Sequence, residues 1–196
     1  MINRLLIIIF IYISLFTTNL FSIEPDVFVQ STVNRASKLL SEDISKEEKI
    51  NKLQIIAKET VDIKGIGNYT LGSARKVLNE EEKKEYAILF EKYFLKSFSS
   101  RLAEFTNPEI DVFAKEVLNK NYTIVNSLLV ATSERPEIKI DWRIYTKNPE
   151  QPLIRDLIIE GLSLARTQKE EFSSIINSND GKIDALLKNL SDFSAK

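Results

Sequence analysis

The 196-residue sequence contains no histidine and no cysteine. Without imidazole or thiol there is no serine or cysteine triad of the usual kind, no zinc site of the usual ligand set, no disulfide and no lipid-bearing cysteine. Glycine and proline are scarce, at 5 each, too few for a loop-rich or disordered chain. Neither sign of charge is in excess: 27 Lys+Arg stand against 28 Asp+Glu, a net charge of −1. A nucleic-acid-binding surface normally shows a basic excess, so general DNA or RNA binding is disfavoured. What is present is apolar. Hydrophobic residues make up 43% of the chain, and phenylalanine alone contributes 11. That is enough to build the core of one domain of ordinary size.

Charge is also absent between Arg4 and Glu24. Within that span Leu5 to Phe16 is apolar except for Ser14, and Thr17-Thr18-Asn19 follows. A positive start, a dense apolar run and a more polar end make up a secretory signal peptide. The competing reading is an uncleaved anchor, since the uncharged span approaches the about 20 residues a membrane helix needs. The short dense core favours cleavage. The expectation is therefore a signal peptide over residues 1–22 and a single domain over 23–196, exported to the periplasm.

The mature chain divides by period. Pro25 opens a helix with Val29, Val33, Ala36 and Leu40 on one face. Ser45 and Glu48 form a capping box before Ile50, Leu53, Ile56 and Ala57. Asp62 caps a third segment, Ile63 to about Lys76. Asn79 and Glu82 open a long helix with Phe90, Phe94 and Phe98 along one side, stopped at Asn107-Pro108. Beyond it the pattern changes to strands at 109–118, 121–132, 137–145 and 153–159. Ile138, Ile140, Trp142 and Ile144 alternate strictly with Lys139, Asp141, Arg143 and Tyr145, the mark of a half-buried antiparallel strand. Two helices close the chain, separated by Asn179-Asp180-Gly181. Helices segregated from a consecutive run of strands predict an α+β fold with about four antiparallel strands and about six helices.

Three motifs invite chemical readings. Gly65-Ile66-Gly67 resembles part of a phosphate loop, but Thr70 stands where the fingerprint needs glycine and no strand precedes it. A close-packed helix explains the glycines better. Ser178-Asn179-Asp180-Gly181 lacks ligands at the first and twelfth calcium-loop positions, Ile176 and Leu187, and reads as a turn. Asp156 and Glu160 could serve as a general base beside an apolar pocket, or as strand-end charges held by backbone or arginine. The phenylalanine row of the long helix, opposed to a sheet of Ile, Leu and Val, is either a filled core or the wall of an apolar cavity. The candidate lining residues are Phe90, Phe94, Phe98, Leu129, Ile138, Ile140, Trp142, Ile144, Leu157 and Ile159.

The segment Leu153-Ile-Arg-Asp156-Leu-Ile-Ile-Glu160-Gly161-Leu162-Ser163-Leu164, with Phe172 beyond it, resembles the C-terminal signature of the MlaC family of periplasmic phospholipid-binding proteins. Asp62 to Ile66 with Leu71-Gly72, and Asn79 through Phe90, Tyr93 and Phe94, are similar to two further family segments. Together they span about residues 26–192. The departures are Pro152 and Arg155 near the signature's Trp and Tyr, and Thr167-Gln168-Lys169 in place of Asn-Tyr-Arg.

The resemblance implies a curved antiparallel sheet wrapped by helices, a hollow cone like that of nuclear transport factor. It implies a non-enzymatic carrier that needs no cofactor or metal and takes phospholipid across the periplasm. The implied partners are an inner-membrane ABC transporter with its substrate-binding ring protein and an outer-membrane lipoprotein–porin complex. The alternatives are a filled-core interaction or chaperone-like protein and, on a similar cone, an acid–base isomerase.

Overall fold

The computed structural model describes residues 22–195. The signal-peptide expectation lies outside those residues, Ser22 excepted. Helix α1 runs Pro25–Ser41, with Pro25 in the first turn, where its missing N–H costs nothing. Helix α2 runs Lys46–Thr60, and Ser45 Oγ accepts the Glu48 N–H at 3.1 Å. Helix α3 runs Ile63–Thr70 behind Asp62, whose carboxylate accepts the Gly65 N–H at 2.7 Å. It is shorter than the sequence suggested, because Gly72 turns left-handed at φ +57°. Only a single 3-10 turn, Ala74–Lys76, follows it.

Helix α4 runs Glu80–Leu102 from a full capping box of Asn79 and Glu82. It stops at Leu102, before the expected Asn107-Pro108 signal. The connection then turns, with Asn107 left-handed at φ +48°, and brings Phe105 onto the core. Helices α5, Leu164–Asn177, and α6, Asp184–Ala195, close the chain.

Between α4 and α5 lie β1 (Ile110–Asn119), β2 (Tyr122–Leu129), β3 (Ile138–Tyr145), β4 (Leu153–Ile159) and β5 (Leu162–Ser163). They form one sheet in sequential order, every neighbour antiparallel. The fifth strand, two residues long, adds to the four expected. Glu160 and Gly161 both have positive φ, +49° and +82°. Two such central residues make the tight hairpin turn that matches strand twist.

The alternation on β3 holds. Ile140, Trp142 and Ile144 are buried against the helices, while Lys139 is exposed and Asp141, Arg143 and Tyr145 are half-buried. Sequence alone left the inward face of β4 undecided, and a bulge explains why. Ile144 pairs with Ile154 but Arg143 pairs with Asp156, so Arg155 is the extra residue. Side-chain parity flips there. Ile154 before the bulge and Leu157 and Ile159 after it all turn to the same side. The α2–α3 junction is pinned at that point. Val61 bridges Ile154, and Arg155 forms an ion pair with Asp62 at 2.5 Å. A Cβ on Gly65 would come within 2.5 Å of both groups of that pair.

Candidate functional site: an apolar cavity

The space between sheet and helices is divided. Around the first part of α4 it is solid. Tyr86 stacks on Phe90 at 5.6 Å between centroids, and Phe172 from α5 meets both edge-on at 6.4 and 6.2 Å. Gly67 lets α3 approach this cluster: a Cβ there would sit 2.8 Å from the Phe90 ring. The two glycines of Gly65-Ile66-Gly67 thus serve close packing. Thr70 Oγ1 and the Tyr86 hydroxyl share a hydrogen bond of 2.8 Å, and burial pushes the Tyr86 phenol well above its ordinary pKa. Burial raises Tyr93 as well.

Two turns further along α4, about 12 Å, the packing opens. A cavity of about 200 Å³ lies between α1, α2, the end of α4 and the inner sheet face. From the helices it is lined by Val33, Ala36 and Leu40, by Leu53, Ile56 and Ala57, and by Phe98 and Leu102. Phe105, Pro108 and Ile110 line the passage into the sheet. From the sheet come Leu129, Ile138, Ile140, Trp142, Ile154, Leu157 and Ile159.

The few polar groups in this wall are already spent. Thr32 Oγ1 donates to Phe28 O at 2.9 Å and Thr60 Oγ1 to Ile56 O at 2.7 Å. Ser37 Oγ donates to Pro108 O at 2.7 Å, and Trp142 Nε1 to Ser127 Oγ at 2.8 Å. No charged side chain lines the cavity. Such a wall has nothing to offer a polar ligand and excludes an ionic one. It suits hydrocarbon.

Seven of the ten candidate residues meet here: Phe98, Leu129, Ile138, Ile140, Trp142, Leu157 and Ile159. Phe90, Phe94 and Ile144 do not line the cavity. Phe90 is 2% exposed within the aromatic cluster, Phe94 bridges it to Phe98, and Ile144 is wholly buried beside Ile154. Periodicity identifies the inward face of an element but not the height at which packing opens. Along β3 the step from Ile138 to Ile144 is roughly 20 Å. The contributions of α1 and α2 were visible only as apolar helix faces. Their small members, Ala36, Ser37, Ala57 and Thr60, were the available signal, because short side chains facing a sheet leave room.

The carboxylates suspected of catalysis have structural work. Asp156 is 4% exposed and pairs across the sheet with Arg143, on the side opposite Leu157. Its Oδ1 accepts the Ala165 N–H at 3.0 Å and its Oδ2 the Ser163 hydroxyl at 2.6 Å, with Arg143 Nη1 at 3.6 Å. Ser163 Oγ in turn accepts the Arg166 N–H at 3.1 Å. Glu160 accepts the Lys139 N–H and sits in the hairpin turn. The spacing Asp156, Glu160, Gly161, Ser163 therefore encodes a hairpin followed by a capped helix start, and neither carboxylate lines the cavity. Among the described residues no cluster of acidic side chains could hold a metal ion, and no helix is long and apolar enough to cross a membrane.

None of the curated proteins matches this chain in sequence. Among solved structures, the phospholipid-binding protein of Ralstonia solanacearum, solved in complex with a phospholipid, has the same fold. The two superpose with a TM-score of 0.73 over 88% of this chain and 98% of that one, at 18% sequence identity. The sequence profile of the MlaC protein family matches residues 30–192. That family consists of non-enzymatic lipid carriers, in agreement with the structural roles of Asp156 and Glu160. This chain belongs to the MlaC family.

Proposed function

We propose that the protein is a periplasmic carrier that holds phospholipid by its acyl chains and moves it between the inner and outer membranes. The observation that carries the proposal is the cavity wall, apolar but for a few polar groups that are already bonded within the protein. The bound phospholipid of the Ralstonia solanacearum protein supports the same reading.

The energetics explain why such a protein is needed. Each methylene withdrawn from water is worth about 0.8 kcal/mol, so two chains with about thirty methylenes face roughly 24 kcal/mol on entering the aqueous gap. A carrier replaces that water with an apolar wall and leaves the head group wet. On this reading, loading the chains widens the space between the helices and the sheet. Delivery is the reverse movement, in which the apolar walls close as the chains leave.

On this reading residues 1–22 direct export and are removed, and residues 23–196 form the phospholipid-binding domain. The chain exchanges lipid with an inner-membrane ABC transporter and its ring protein, and with an outer-membrane lipoprotein–porin complex. Organic extraction of the natively purified protein followed by mass spectrometry tests the reading. A diacyl phospholipid near one per chain, transferable to acceptor vesicles, is expected. A lipid-free protein that extracts no phospholipid from donor vesicles would refute it.

A further inference from the structure

We propose that Arg135 grips the phosphate of the lipid whose chains occupy the cavity. The inference rests on the carrier reading and adds a head-group contact to it. Arg135 lies in the β2–β3 connection, at the end of the sheet where Leu129, Ile138 and Ile159 line the cavity. Its guanidinium carbon stands 5.4 Å from the centre of the Phe105 ring, and Phe105 is itself a lining residue. Nη2 donates to Val130 O at 3.1 Å, and the Thr132 N–H donates to Arg135 O at 2.8 Å, so both ends of the residue are tethered.

Nε is buried without a hydrogen-bond partner, and no carboxylate of the described residues lies within ion-pair distance of Arg135. Of the three arginines whose Nε is buried without a partner, Arg143 and Arg155 each face a carboxylate and Arg135 does not. The flanking Glu134 and Glu137 are exposed.

An apolar wall cannot admit an ionised phosphodiester, so the phosphate must halt where the lining ends. Beside the lining residue Phe105 the structure places a guanidinium over an aromatic face. Arginine's planar fork matches phosphate oxygens two at a time. Thr32, Thr60, Ser37 and Trp142 have no such capacity, because their donors are committed inside the wall.

The test is competition loading of lipid-free protein with phosphatidylglycerol and diacylglycerol of identical chains, quantified by mass spectrometry. The wild type should favour the phospholipid about tenfold, the scale of one charge-assisted hydrogen bond. Arg135→Gln should bring the ratio near one without lowering diacylglycerol uptake, and Arg135→Lys should keep part of the preference. Because the ratio is internal to each sample, a loss of folded protein does not mimic the effect. An unchanged ratio in Arg135→Gln, with both lipids bound, would overturn the inference and leave the carrier reading standing. Binding of neither lipid by the wild type would overturn both. Inorganic phosphate bound by the lipid-free wild type and lost in Arg135→Gln would overturn it in favour of a free-anion site.

Discussion

Ala57→Leu should stabilise the lipid-free protein and at the same time reduce its lipid load. Ala57 is 1% exposed on α2 and faces the cavity. Leucine adds three carbons to a wall that faces a cavity of about 200 Å³. Burial of those carbons contributes up to about 2 kcal/mol, and the change in helix propensity is small. For a chain of this size that corresponds to a Tm rise of roughly 4–8 °C. The same space is then denied to acyl chain, so co-purified phospholipid should fall severalfold.

Gly67→Ala provides the contrast. It adds one carbon in the solid half, 2.8 Å from the Phe90 ring. Overpacking there costs about 1–3 kcal/mol against a helix-propensity gain of up to about 1 kcal/mol. Its Tm should fall while lipid load per folded chain is retained. Differential scanning calorimetry of delipidated protein and lipid quantification of native protein measure the two effects. If Ala57→Leu lowers the Tm sharply and leaves the lipid unchanged, the cavity is not the lipid site and the reasoning fails.

Asp156→Ala should lower stability by about 3 kcal/mol in urea titration, because it orphans the buried Ala165 N–H and the Arg143 guanidinium; a variant as stable as the wild type would contradict that role. Gly161→Val forces a branched residue to φ +82° and should cost about 1–2 kcal/mol, with β5 pairing weakened in amide exchange. Lys115 ties β1 to the start of α1 through Asp26 at 2.7 Å and Glu24 at 2.6 Å. Its hydrogen bond holds the Asp26 pKa below the ordinary aspartate value and raises that of Lys115. The Asp26 contribution is complete above pH ~4 and lost as pH falls through its lowered pKa, while the Lys115 contribution is complete below pH ~10 and lost as pH rises through its raised pKa. Lys115→Gln should therefore speed lipid transfer to vesicles equally at pH 6 and pH 8; an effect confined to one of them would count against the clasp.

The order of elements could be read from the sequence because local signals agreed with tertiary demand. Ser45, Asp62, Asn79 and Ser163 each cap the helix that follows, and the first three were anticipated. The β3 alternation survives because the helices cover one sheet face fully and the other only in part. Features that depend on a single backbone angle or on contact at a distance escaped. Gly72 shortens α3, the Arg155 bulge flips β4, and Glu160-Gly161 folds back β5. The cavity's place along α4 was equally hidden, because Phe90 and Phe98 share a face. Only the approach of Gly67 on one and the small side chains opposite the other decide which is packed.

Trp142 is the chain's single tryptophan and lines the cavity, so its fluorescence reports directly on what occupies that space. The most direct test is to load the protein with phosphatidylglycerol brominated at mid-chain and, separately, with an unbrominated lipid carrying a heavy-atom quencher on the head group. Acyl chains held against Trp142 require strong quenching by the first lipid and little by the second. Lipid bound at one per chain with no quenching from mid-chain bromine would place the chains elsewhere and contradict the account.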